Sequence, residues 1–238
     1  EPTKPTKPTK QDREYEIVIQ SKDIPMQELK ERLRDIGGTR VQNECVFVHI
    51  AYTHPYKRNK RHFIRLRNEG SKVTLTYKIH DTKFPIEHEI VVNDFNEAHT
   101  MLTLLGCKYK YECHKLREIW SLESFEGCKE IVFDTYPGVE TYAEIECDSV
   151  GDIQTVLRKV GLDPDVSRYK RVFVNTYYQE IYGIQKTSLT GGKRLTFVTA
   201  YTLLQHATKN KDLLQERLDE AQEKHKEQIL QVENIQSK

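Results

Sequence analysis

From residue 14 to residue 146 apolar and polar positions alternate with a period of two, the pattern of half-buried strands. The segments 14–20, 44–52, 62–68, 72–79, 86–92, 107–120, 129–134 and 139–146 are rich in Val, Ile, Phe, Tyr and Thr. Asn68-Glu69-Gly70-Ser71 reads as the hairpin turn between two of them. Eight strands with short connections predict an antiparallel barrel, which would also remove unpaired edges. Helical spacing interrupts at defined places. Residues 23–36 carry Leu29, Leu33 and Ile36 on one face, with Pro25 in the first turn and Gly37-Gly38 as the stop. Residues 94–105 open on Asp94 as N-cap with Glu97 three positions on, and close at Gly106. Residues 149–160 repeat this arrangement with Ser149 and Gly161, and 165–182 carry Val166, Tyr169, Val172, Phe173, Tyr177 and Ile181 at helical spacing. The predicted fold class is α+β: an eight-stranded antiparallel barrel with helices packed outside and a long C-terminal helix.

The ends differ in character. Residues 1–12, with Pro-Thr-Lys repeated, have nothing to bury and predict a disordered basic tail. The chain begins at Glu1, which predicts a trimmed start. Residues 13–186 form the expected tunnel domain and 187–238 a hinge followed by a long polar helix over about 199–236. In that helix Leu214, Leu218, Ala221, His225, Gln228, Val232 and Ile235 follow 4-3 spacing. This spacing is compatible with a short coiled coil and homodimer, or with a helix packed on the barrel.

With 37 basic and 36 acidic residues, net charge selects no partner class, but the 31% charged fraction exceeds the usual quarter. No apolar run approaches a membrane span and no signal peptide is visible, so the expectation is a cytoplasmic protein without a membrane partner. Five cysteines without a Cys-x-x-Cys pair argue against zinc or a disulfide framework and for reduced thiols.

The excess charge lies on particular strand faces. Glu14-x-Glu16 and Glu144-x-Glu146 each aim two carboxylates to one side of a strand. Arg65-x-Arg67 and Lys115-x-Arg117 do the same with cations, and Lys78 follows Thr74 and Thr76 on another strand. Each strand is apolar on its other face. If those apolar faces pack outward against helices, the interior receives Glu14, Glu16, Arg65, Arg67, Lys78, Glu87, Glu89, Lys115, Arg117, Asp134, Glu144 and Glu146. Charges buried at that density need partners, so a ligand of mixed charge is expected. Carboxylate oxygens without Cys favour Mg²⁺ or Mn²⁺, and Arg and Lys grip phosphate oxygens. Phosphoryl transfer suits such a site, because it relies chiefly on charge neutralisation and a positioned water.

The ordered set Glu14-x-Glu16, Arg65-Leu66-Arg67, Thr76-Tyr77-Lys78, Glu87-His88-Glu89, Lys115-Leu116-Arg117-Glu118, Asp134 and Tyr142-Ala143-Glu144-Ile145-Glu146 resembles the CYTH domains. These are the triphosphate tunnel metalloenzymes, including class IV adenylyl cyclases, thiamine triphosphatases and inorganic triphosphatases. The resemblance covers about 14–182. It implies a divalent metal on Glu14, Glu16, Glu144 and Glu146, and a triphosphate held by Arg65, Arg67, Lys78, Lys115 and Arg117. Glu87 and Glu89 take supporting places, and Glu14, Glu16, Arg117 and Asp134 become the candidate catalytic groups. The family's first motif, Glu-x-Glu-x-Lys, departs here at Val18. Lys170 or Lys193 is the candidate replacement cation. The resulting expectation is a metal-dependent phosphohydrolase for inorganic, nucleoside or thiamine triphosphate, with RNA 5′-triphosphate a further substrate to test. An adenylyl cyclase and a non-catalytic polyphosphate binder are the alternatives.

Overall fold

The computed structural model describes residues 15–55, 62–79, 86–169, 174–185 and 194–235. Among these residues the chain forms one sheet with helices on its outer face. The strands are β1 (Tyr15–Ile19), β2 (Thr39–Thr53), β3 (His62–Asn68), β4 (Val73–Ile79), β5 (Ile86–Val92), β6 (Lys108–Ser121), β7 (Cys128–Thr135), β8 (Tyr142–Cys147) and the short β9 (Arg194–Leu195). The helices are α1 (Met26–Asp35), α2 (Phe95–Leu104), α3 (Val150–Lys159), α4 (Val174–Tyr182) and α5 (Lys211–Ile235), with a 3₁₀ helix at Thr199–Gln205. Strand order is β1-β8-β7-β6-β2-β3-β4-β5, all neighbours antiparallel, and β9 adds to β6 in parallel.

The expected helix signals act as read. The Asp94 side chain accepts from Glu97 N at 2.8 Å, and the Ser149 hydroxyl accepts from Asp152 N at 3.2 Å. Each bond satisfies one of the amide donors left open in a first helical turn. At the β3–β4 turn Glu69 N donates to Lys72 O at 2.9 Å, and Gly70 supplies the φ of +82° that other residues adopt at a cost.

The outward face of the sheet is apolar and buries three clusters. Ile17 and Ile19 of β1, Phe133 of β7 and Ile145 of β8 pack with Leu29 and Leu33 of α1 and with Val156 and Leu157 of α3. Val48 and Ile50 of β2 and Leu66 of β3 pack with Phe95 and Leu102 of α2 and with Ala221 and Ile229 of α5. Tyr178 and Tyr182 of α4 meet Leu214 and Leu218 of α5. Their hydroxyls donate to the carbonyls of Pro137 and Gly138 in the β7–β8 turn. With the apolar faces used outside, the charged faces line the inside.

Three expectations change. The sheet is open: among the described residues β5 and β1 are not paired. Glu16 of β1 and Glu87 and Glu89 of β5 nevertheless line one cavity. The helix expected over 165–182 is confined to Val174–Tyr182. Asp163 and Asp165 accept from Asp165 N and Ser167 N at 2.9 and 3.0 Å, folding 163–167 into turns, while 170–173 lie outside the described residues. The helix expected from 199 begins at Lys211, because the 3₁₀ segment ends before Asn210, whose φ is 45°. The apolar stripe of α5 faces the chain's own sheet. Leu214, Leu218, Ala221, His225 and Ile229 are buried, and the stripe steps to Ile229 instead of Gln228. That step follows a break in the helix at His225 (φ −123°, ψ 21°).

Candidate active site

The inner face encloses a cavity of about 500 Å³ lined mostly by charged side chains, together with Phe63, Tyr111, Ile119, Val132 and Tyr136. Glu16, Arg65, Arg67, Lys78, Glu87, Glu89, Lys115, Arg117, Glu144 and Glu146 all reach it. Both edge strands contribute, so the open sheet still curls around one space. Glu14, Lys170 and Lys193 lie outside the described residues.

Acids and bases occupy different walls. The ladders set Glu130 of β7 opposite Glu146 of β8, and Glu146 opposite Glu16 of β1. Three carboxylates therefore form a row across three neighbouring strands. The next row is Val132, Glu144 and Val18, so Glu144 stands between two valines. Glu146 is crowded: burial raises its carboxyl, Lys129 at 3.3 Å lowers it, and the charges of Glu130 and Glu87 push it up again. The net shift is upward, the response of a carboxylate with too little positive charge nearby.

Opposite stands the cationic wall, built in two ways. On β6, Lys115 donates to Asp134 at 2.6 Å, and Arg117 donates to the same carboxylate twice, each at 2.6 Å. Arg117 also reaches Glu144 at 3.2 Å. Asp134 is fully buried behind these cations and does not line the cavity. Burial alone would raise its carboxyl, but the charges of Arg117 and Lys115 hold it well below the usual range. Its place is that of a counter-ion that positions Lys115 and Arg117.

On β3 the pairing is looser. Arg65 stands 3.5 Å from Glu87 and 3.8 Å from Glu89, and Arg67 stands 3.4 Å from Glu69 and 3.5 Å from Glu89. The Arg65 Nε is buried without a hydrogen-bond acceptor among the described residues, and the Arg67 Nε, which makes the 3.4 Å contact to Glu69, forms no aligned hydrogen bond there. Lys78 of β4 pairs with Glu87. Burial and then the repulsion of Arg65 and Arg117 bring Arg67 down to about 10. Burial, with Arg117 beside it, brings Lys115 down to about 8. Burial is the larger cause for both, and cationic neighbours add to it; an anion with several charges could offset both effects.

The sequence reading missed several lining residues. Glu69 and Lys72 belong to the β3–β4 turn, where strand alternation gives no direction. Lys129 occupies a bulge in β7 between Cys128, opposite Cys147, and Glu130, opposite Glu146. His49 lies beside Tyr111 at the wall. Burial, then the charges of Lys115, Arg65 and Arg67, keep its imidazole well below its ordinary value and hence neutral. The alternation of β2 signals its direction, but the strand lacks the paired charges that drew attention elsewhere.

Val18 faces the same interior at a different level. It is buried in a small recess with Val139, Tyr142, Val174 and Tyr177. The recess at the position expected to carry lysine also takes in Gln20, Ser21, Glu140 and Thr141, so its lining is mixed.

Among the described residues, no three of His, Cys, Asp or Glu converge closely enough to coordinate a metal. The chemistry of the acid wall still fits a hard divalent ion, since its donors are all carboxylates and the carboxyl of Glu146 stays raised despite Lys129. Glu16, Glu144 and Glu146 are the described residues that would hold it.

No curated protein matches the chain in sequence. Among solved structures, the PH1012 protein of Pyrococcus horikoshii OT3 is 19% identical, with a TM-score of 0.51 over 66% of this chain and 99% of that one. The PH1819 protein of the same organism is 24% identical, with a TM-score of 0.51 over 70% and 98%. A putative adenylate cyclase of Vibrio parahaemolyticus is 12% identical, with a TM-score of 0.56 over 68% and 95%. These likenesses concern the fold. In sequence the CYTH domain family matches residues 14–161, well over half of the chain. With the paired charged strands around one cavity, this match shows that the chain belongs to the CYTH domain family.

Proposed function

We propose that the chain is a divalent-metal-dependent phosphohydrolase that takes a triphosphate into this cavity and releases its terminal phosphate. The observation that carries the reading is the loose pairing of the β3 arginines: among the described residues the buried Nε of Arg65 has no hydrogen-bond acceptor, and Arg65 and Arg67 meet their carboxylates only at 3.4–3.8 Å. Such groups gain most from an anion that supplies many oxygens at once.

Arg65, Arg67 and Lys78 would bind one stretch of the phosphate chain and Lys115 and Arg117 the other, with Asp134 fixing the latter pair. As the bond from the terminal phosphorus to its bridging oxygen breaks, charge accumulates on that oxygen, and these cations stabilise it. Water attacks the phosphorus from the acid-wall side, where a carboxylate orients it and accepts its proton. When bound by Glu16, Glu144 and Glu146, Mg²⁺ or Mn²⁺ supplies further neutralisation of the phosphate oxygens.

One observation favours a second reading, a polyphosphate or nucleotide binder without turnover: a buried Val18 stands where the family motif carries lysine. A phosphate-release screen with tripolyphosphate, thiamine triphosphate, ATP and triphosphorylated RNA, each with Mg²⁺ and with Mn²⁺, separates the two. The hydrolase reading expects metal-dependent orthophosphate from at least one substrate, lost in Glu144→Gln and Glu146→Gln. Tight binding with no product, and turnover gained only in Val18→Lys, would establish the binder. Pyrophosphate with cyclic AMP from ATP would establish a cyclase instead.

A further inference from the structure

The bulge that turns Lys129 toward the cavity also turns Cys128 the other way. In regular alternation Cys128 would share the inner face with Glu130. Instead it packs on the outer cluster beside Cys147, its direct partner across the β7–β8 ladder. The bonding pattern identifies this pair. Asp148 N donates to Gly127 O at 3.0 Å, and Cys128 N donates to Phe125 O at 3.0 Å. Bonds that flank the two residues mark a pair not hydrogen-bonded to each other, the kind that brings Cα atoms to about 4.5 Å and side chains closest. That separation lies inside the roughly 4.4–6.8 Å that a disulfide spans. Cys147 is fully buried, whereas Cys128 is half-buried and open to solvent.

We propose that Cys128 and Cys147 form an oxidisable dithiol that a hydroperoxide converts to an intramolecular disulfide. The Cys128 sulfur, the less buried of the two, attacks one peroxide oxygen as thiolate. The O–O bond breaks, and Cys128 becomes a sulfenic acid as hydroxide leaves. The Cys147 sulfur then attacks the Cys128 sulfur, forming S–S and breaking S–O. The departing hydroxide takes up the Cys147 proton as water. Overall two thiols lose two electrons and two protons, and one hydroperoxide is reduced. A dithiol reductant reverses the step by exchange. The burial of Cys147 assigns the order: the oxidant reaches Cys128, and Cys147 resolves. The other cysteines have no counterpart to this pair. Cys107 and Cys113 are buried, and the Cys45 sulfur accepts from the Gln42 side-chain amide at 3.1 Å.

The test uses the full chain with hydrogen peroxide, followed by thiol counting in denaturant and a non-reducing peptide map. The expected result is a fall from the five free cysteines to three, a peptide joining Cys128 to Cys147, and restoration of all five by dithiothreitol. In Cys147→Ser the intramolecular link should vanish and a sulfenic acid at Cys128 should become trappable by a carbon nucleophile. A different linked pair, a link between chains, or over-oxidation of Cys128 with Cys147 still free would overturn the proposal. The wild-type peptide map decides even if the variant folds poorly.

Discussion

Asp134 shows how a single buried charge can organise a cationic wall. Its carboxylate meets Lys115 once and Arg117 twice at 2.6 Å with no exposure to solvent. Asp134→Asn removes that charge and leaves two buried cations sharing little beyond Glu144. Breaking a buried ion cluster in this way costs about 3–5 kcal/mol. Urea unfolding should register that loss, and saturating tripolyphosphate should recover part of it by replacing the missing negative charge. Lys115 gives a second outcome at this scale. Burial brings its ammonium down to about 8, so it is mostly charged at neutral pH and loses its charge as pH rises through that value. A phosphate ligand favours the charged form. Tripolyphosphate affinity should therefore be highest below about 8 and fall above it, as measured by calorimetric titration across the alkaline range. An affinity that rises with pH would contradict the assignment. At this scale the sequence was legible wherever charges repeat at i and i+2, as in Arg65-x-Arg67 and Glu144-x-Glu146. It was not legible at Lys129, where a bulge resets the alternation, or at Glu69 and Lys72, which sit in a turn.

Helix α5 is held by polar contacts at both sides of its break. Glu44 of β2 accepts from Lys224 at 2.6 Å and bonds His225 at 2.9 Å, and the Gln228 side chain accepts from Val46 N at 3.1 Å. Burial would raise Glu44, but the hydrogen bonds and charges of His225 and Lys224 win and hold it at about 2, against an ordinary 4.5. A folded value below the unfolded one contributes stability above about 4.5 and loses it as pH falls toward about 2. Glu44→Gln should flatten the acid limb of the stability profile within that window, and hydrogen exchange should show α5 loosened at neutral pH. An unchanged acid limb would mean that the contact contributes nothing. The existence of this helix was legible, but its starting point and its break were not. Periodicity reports which residues share a face, whereas the break depends on Glu44, 181 positions from His225 in sequence.

At the scale of the whole molecule, the apolar faces of the strands pack outward on helices and thereby commit the charged faces to one shared interior. That inversion was legible because every charged strand has an apolar reverse side. Closure was not: alternation within β1 and within β5 does not report whether the two meet. The open edges still deliver Glu16, Glu87 and Glu89 to the same cavity, so the charge balance of the site survives the gap. On the proposed function the arginines of β3, paired at only 3.4–3.8 Å, are the groups expected to exchange their carboxylate partners for phosphate. The most direct test is calorimetric titration of tripolyphosphate into the wild-type chain, into Arg67→Ala, and into Arg158→Ala on exposed α3 as a control. Loss of charge-assisted bonds should weaken binding roughly 10- to 100-fold in Arg67→Ala while Arg158→Ala matches the wild type. Absence of binding to the wild-type chain, or equal affinity in all three proteins, would contradict the account.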